Sequence, residues 1–319
     1  MKISELFQTI IDIGRQADPR GEEEVKSQLE RLAKQYQELS PAKQKFFDQE
    51  RLNNPYADSR ILSGDPSASV NGILVGIDID VGEILLADRL REKGRKIDLL
   101  LSHHPAGKAY AGFYNVIHMQ ADIIHRLGVP INVAEALLDE RVTEVELKTM
   151  PANFSRAVDA ARALGLAFIC AHTPADNCVV NYLQEIFDET QPSRVSEIID
   201  IIMEIPEYKE ALKDNAVPRQ VAGKGKSRPG KIFVDMTGGT EGPKEILANL
   251  AQAGVGTLVC MHLSADRVKK AEENKLNVVI AGHISSDNLG MNLLLDRLTE
   301  KEPLEIIPCS GFRRITHRS

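Results

Sequence analysis

The chain of 319 residues allows about two globular units at roughly 150 residues each, and its 43% apolar content excludes disordered, collagenous and coiled-coil architectures. With 46 Asp and Glu against 39 Lys and Arg, the formal charge of −7 opposes a phosphate backbone and argues against nucleic acid as a partner. No run approaches the roughly 20 consecutive apolar residues of a membrane span, and the four cysteines form no C-x-x-C pair, so a cytoplasmic protein with reduced, buried thiols and no membrane partner is expected.

From the N-terminus, Ile3, Leu6, Phe7, Ile10 and Ile11 follow helical spacing, and a second helical stretch runs from Glu22 to Leu39. Ser40-Pro41 starts a third, with Ser as cap and Pro at the first helical position, leading to Leu52. Beyond Asn54-Pro55, short apolar runs alternate with amphipathic stretches, which predicts an α/β fold with a mixed, mostly parallel sheet. Strands are predicted at 72–78, 97–101, 131–133, 166–171, 231–236, 257–261, 277–281 and 304–307. The interval from Phe187 to Pro229 is first helical and then a basic, Gly-rich loop, GKGKSRPGK, read as a solvated connector because it neither follows a predicted strand nor opens a helix. Segments 71–104 and 230–262 share the order strand, loop, helix, strand, His, a weak internal repeat that implies two similar halves. The expected organisation is an N-terminal helical extension (1–57), a first α/β lobe (58–190), a connector (191–229) and a second α/β lobe (230–319).

Five of the eight histidines fall at predicted strand C-termini: His103, His104, His172, His262 and His283. Ligands of open α/β sheets bind at those ends, where loops project side chains into a crevice. A single histidine there is ordinarily a hydrogen-bonded boundary residue, but five together, two of them followed four residues on by a carboxylate (His172 and Asp176, His283 and Asp287), point to a divalent-metal site. Neighbouring residues of an extended strand point to opposite sides, so His103 and His104 could each serve a separate ion. Asp78, Asp80 and Asp235 also end strands and are candidates either for orienting imidazoles or for plain turn positions. The turn Thr237-Gly-Gly-Thr-Glu-Gly-Pro243 is either an anion cradle ahead of a helix starting near Pro243 or a tight connection.

The elements Leu-Leu-Ser-His-His-Pro (100–105), Ala-His-Thr-Pro-Ala-Asp (171–176) and Ala-Gly-His-Ile-Ser-Ser-Asp (281–287) resemble, in order, the three signatures of the NGG-interacting factor three family, whose members are described as dinuclear metal-centre proteins or type 2 homologues of GTP cyclohydrolase I. The resemblance spans roughly Gly64 to Cys309. It implies two similar intertwined α/β lobes in three layers, a two-metal site in the cleft between them, and a homohexamer. Carried across, the family's metal ligands fall on His103, His104, Asp176, His283 and Asp287. The last is usually Glu in the family, so Asp287 is one methylene shorter. His172 matches a histidine beside the ions and is a ligand or a proton carrier, taken here as the catalytic residue.

Two divalent ions (zinc, iron or manganese) would outweigh the two carboxylates, so the site should attract a small anionic substrate despite the acidic chain. The expectation is a metal-dependent hydrolase of a phosphorylated or nucleotide-like small molecule, with hydroxide generated at the ions as nucleophile and His172 or His262 carrying the proton. The alternative is a non-catalytic metal-binding protein acting in delivery, regulation or as a scaffold for partners.

Overall fold

The computed structural model describes residues 1–317. Helices α1 (Ile3–Gln16) and α2 (Glu22–Glu38) open the chain. In α1 the expected stripe from Ile3 to Ile11 is buried on one face, and the backbone N–H of Lys2 donates to Glu5 at its start. Helix α3 (Pro41–Gln44) starts where Ser40-Pro41 predicts but lasts about one turn.

The middle of the chain runs β1 (Arg60–Ser63), β2 (Gly72–Gly76), α4 (Val81–Glu92), β3 (Leu99–Ser102), α5 (Gly107–Ala111), α6 (Met119–Leu127), α7 (Ile131–Thr149), α8 (Arg156–Ala163), β4 (Ala167–Cys170) and α9 (Thr173–Thr190). It continues through α10 (Val195–Met203), α11 (Pro206–Ala211), β5 (Arg219–Ala222), β6 (Lys231–Asp235), α12 (Ile246–Gln252), β7 (Val255–Cys260), α13 (Ala265–Glu273), β8 (Asn277–Ile280), α14 (His283–Lys301) and β9 (Glu305–Cys309). All but one of the predicted strands are present. The exception is 131–133, which opens α7 instead. Three β-branched or small residues looked like a strand, but Ala134, Leu138, Val142 and Val145 continue a helical stripe behind them and the tertiary packing follows that longer pattern.

Two sheets result, ordered β1-β4-β3-β2-β9 and β5-β8-β7-β6. Every pairing is parallel except β1 with β4 and β5 with β8. The second sheet thus repeats the first, with β5 to β8 standing for β1 to β4, and α9 and α14 each follow the strand at the matching place. Strands β2, β3 and β4 are buried at every position, as parallel strands covered on both faces must be. Their side chains alternate between two cores. Ile73, Val75, Leu99 and Leu101 face α1 and α14, whereas Leu74, Leu100 and Phe168 face α4 and α8.

Helices α9 and α14 form a layer common to both sheets. Ala175 and Cys178 of α9 join the first sheet's core, while Val179, Leu183 and Phe187 join that of the second. Met291, Leu294 and Leu298 of α14 likewise pack on the first sheet and Leu289 on the second. The fold is therefore α/β, with two similar lobes intertwined through these helices and through β9, which leaves the second lobe to pair with β2. The Gly/Lys-rich loop joins two strands of one sheet, β5 and β6, and its Gly225 and Ser227 carbonyls accept the first backbone N–H groups of α10. No described helix is long and apolar enough to cross a membrane.

Candidate metal centre

The two H-x-x-x-D elements are helical. His172 is the N-cap residue of α9 with Asp176 in its first turn, and His283 opens α14 with Asp287 one turn on. Residues four apart on a helix share a face, so each element presents an imidazole and a carboxylate side by side. From the sequence alone, strand-end turns are the expected means of doing this. Instead β4 and β8 pass almost directly into helices, and Asp176 sits in the positive first turn of α9. His103 and His104 follow β3, their backbone N–H groups bonded to Gly76 and Ile77 at the end of β2.

These four segments bring His103, His104, Asp176, His283 and Asp287 together. Three groups have donor atoms all within 4.8 Å of one another: His103, Asp176 and Asp287; His104, His283 and Asp287; and His103, His104 and His172. Nε2 of His103 lies 3.5 Å from Oδ1 of Asp176 and 3.4 Å from Oδ1 of Asp287. Nε2 of His104 and Nε2 of His283 each lie 3.6 Å from Oδ2 of Asp287. Two ligands bound tetrahedrally to one ion at 2.0–2.2 Å stand roughly 3.4 Å apart. The separations are therefore long for hydrogen bonds and right for donors sharing an ion.

Asp287 offers one oxygen to each side. Nε2 of His103, Oδ1 of Asp176 and both oxygens of Asp287 are buried and have no hydrogen-bond partner. Buried polar groups are normally paired, and four orphaned atoms converging on one spot form a site that could hold a cation. The residues present fit the group.

Electrostatics agree. Burial, with His103 and His172 adding to it, lowers His104 to about 4, and burial also lowers His283, so both imidazoles are neutral and able to ligate. Burial pushes Asp176 well above the ordinary carboxylate range, as expected for a carboxylate that lacks its counter-ion. Burial also works against Asp287, but His103, His283 and His104 together outweigh it and hold that carboxyl low.

Asp78 accepts from Nδ1 of His104 at 2.8 Å and so fixes the ring with Nε2 toward Asp287. Of the other orienting candidates, Asp80 caps α4 and Asp235 touches no imidazole. The residue sequence reasoning missed is Asp58, fully buried just before β1. Its Oδ2 accepts from Nδ1 of His172 at 2.8 Å and from the Thr173 hydroxyl at 2.7 Å, and Ser59 accepts from the His172 backbone N–H. That pairing leaves Nε2 of His172 free on the side of the site. Its only sequence signal is an Asp at the mouth of an unrecognised edge strand.

His262 lies at the rim, its ring edge-on to His283 with centroids 5.0 Å apart, and joins none of the three groups. Nor does any cysteine among the described residues; burial raises the Cys170 and Cys178 thiols to about 12. The turn at 237–243 is a connection. Gly238 and Gly239 both have φ +88, α12 begins only at Ile246, and the side chain of Gln120 donates to the Gly238 and Thr240 carbonyls.

No protein-family model and no curated protein matches the sequence. Among solved structures, a NIF3 superfamily protein from Sphaerobacter thermophilus is 27% identical, with a TM-score of 0.69 over 80% of this chain and 91% of that one. Reduced HcgD from Methanocaldococcus jannaschii is 18% identical over 79% and 89% of the two chains at a TM-score of 0.46. A Bacillus cereus protein related to NIF3 is 12% identical over 78% and 90% at 0.39. With its three signatures in order and paired similar lobes, this chain is similar along most of its length to a member of the NIF3 (NGG-interacting factor three) superfamily.

Proposed function

We propose that the protein is a two-metal hydrolase of a small phosphorylated or nucleotide-like compound. The observation that carries this reading is the placement of Asp287, whose two oxygens each face a different imidazole set. His103, Asp176 and Asp287 would hold one ion; His104, His283 and Asp287 the other. Imidazole and carboxylate donors suit zinc, ferrous iron or manganese. Ions bound there supply Lewis acidity toward an anion and lower the pKa of water. His172, held by Asp58, carries a proton at Nε2 on the edge of the site. Delivery or exchange of metal is the less favoured reading, because His103 and Asp287 are almost fully buried and ions there are retained.

Metal analysis of the purified protein after supplementation should give about two divalent ions per chain. Turnover of a panel of phosphomonoesters, phosphodiesters and nucleotides should then accompany metal content and be lost in His104→Ala. Two ions per chain without turnover would leave a metal-binding protein, and well under one ion per chain would end the dinuclear reading.

A further inference from the structure

Beside the metal centre, a cleft runs from His172, Asp176 and His283 to the C-terminal end of β6, where it is lined by Asp235, Glu241 and His262. The two carboxylates at that end differ. Glu241 is paired, accepting from Arg267 Nη1 at 2.9 Å and from the Ser264 backbone N–H at 3.0 Å. The carboxylate of Asp235, partly buried in the same wall, has neither a hydrogen bond nor an ion pair among the described residues.

Burial and the nearby charge of Glu241 raise Asp235 to about 7, and Arg267 only partly offsets them. Such a group is costly to the folded chain. A carboxylate left without a protein partner in the wall of a cleft is open to one supplied by a ligand.

We propose that Asp235 receives a cationic or paired N–H group of the substrate, such as a primary ammonium or an amidine edge, while the substrate's anionic group sits at the metal ions. The cleft is then polar along its length, with cations at one end and an uncompensated carboxylate at the other. It selects small molecules carrying both an anion and a basic nitrogen. The inference rests on the anion-binding reading of the metal centre.

The test measures binding of 2-aminoethyl, 3-aminopropyl and 4-aminobutyl phosphate to the zinc-loaded, full-length protein, beside ethyl, propyl and butyl phosphate. At least one amine should bind about ten- to a hundredfold more tightly than its alkyl counterpart, the range for a hydrogen-bonded charge pair. Asp235→Asn should erase that advantage, and Asp235→Glu should keep part of it. Equal binding of every pair in the wild type, or an advantage that survives Asp235→Asn, overturns the proposal.

If no alkyl phosphate binds, the anion reading is what has failed, and Asp235 is judged by an amine alone. Butylammonium, compared with potassium at equal ionic strength, should raise the Tm of the wild type and not that of Asp235→Asn; no difference between the proteins overturns it.

Discussion

Asp287 faces imidazoles with both oxygens, one methylene shorter than the Glu the resemblance leads one to expect, and Asp78 and Asp58 hold the His104 and His172 rings beside it. Carboxylates that fix a ligating or proton-carrying imidazole typically matter about 10–100-fold. Asp78→Asn should accordingly weaken metal binding by about that factor in a chelator competition, through the lost orientation of His104. Asp58→Asn should keep its metal and lower turnover instead, which metal analysis and rate measurement on one sample separate.

At this scale the sequence was informative wherever the clustered side chains sit next to apolar runs. His103, His104 and His283 were visible because strand ends are visible. Asp58 was not, since the partner that gives it meaning, His172, is 114 residues away and nothing local marks the pair.

Among the elements, the crossing of α9 and α14 sets the reach of Asp287. A Cβ at Gly290 would lie 2.5 Å from the Ala175 carbonyl oxygen, so only glycine permits the approach. Gly290→Ala should cost about 1–3 kcal/mol in chemical unfolding and lower metal affinity by drawing Asp287 away from His103. Gly82→Ala in α4, with nothing within 4 Å of the added carbon, should be neutral or stabilising by up to about 1 kcal/mol.

The far side of α14 carries a second device. Asn288, Asn292 and Asp296, one turn apart, accept the backbone N–H groups of Arg313, Ile315 and His317 at 2.6, 3.1 and 2.7 Å. His317 then donates to Glu207 at 2.7 Å, which raises its pKa against an opposing burial effect. A raised imidazole stabilises the fold fully below about 6.5 and loses its contribution as pH climbs through the raised value. The stability gap between wild type and His317→Asn should therefore be on the order of 1 kcal/mol near pH ~6 and close by pH ~9.

The edge strands β1 and β5 escaped sequence reading for a related reason. Each is four residues long and begins with arginine, β5 is only partly buried, and neither shows the apolar run that betrayed β2, β3 and β4.

For the whole molecule, the candidate ligands are divided between the lobes: His103, His104 and Asp176 follow strands of the first sheet, His283 and Asp287 a strand of the second. Ions bound there couple the lobes, so metal should stabilise the entire chain. At a free metal concentration 100 times the dissociation constant the gain is about 2.7 kcal/mol. Removing metal should lower Tm in a single transition, and a second transition appearing would mean that the lobes unfold apart.

Because β2 finds its neighbour β9 only at residues 305–309, the first sheet stays one strand short until that segment has been synthesised. Until then β2, buried in the folded protein, presents an open, apolar edge. A chain truncated before β9 keeps all five candidate ligands but should aggregate through that open edge.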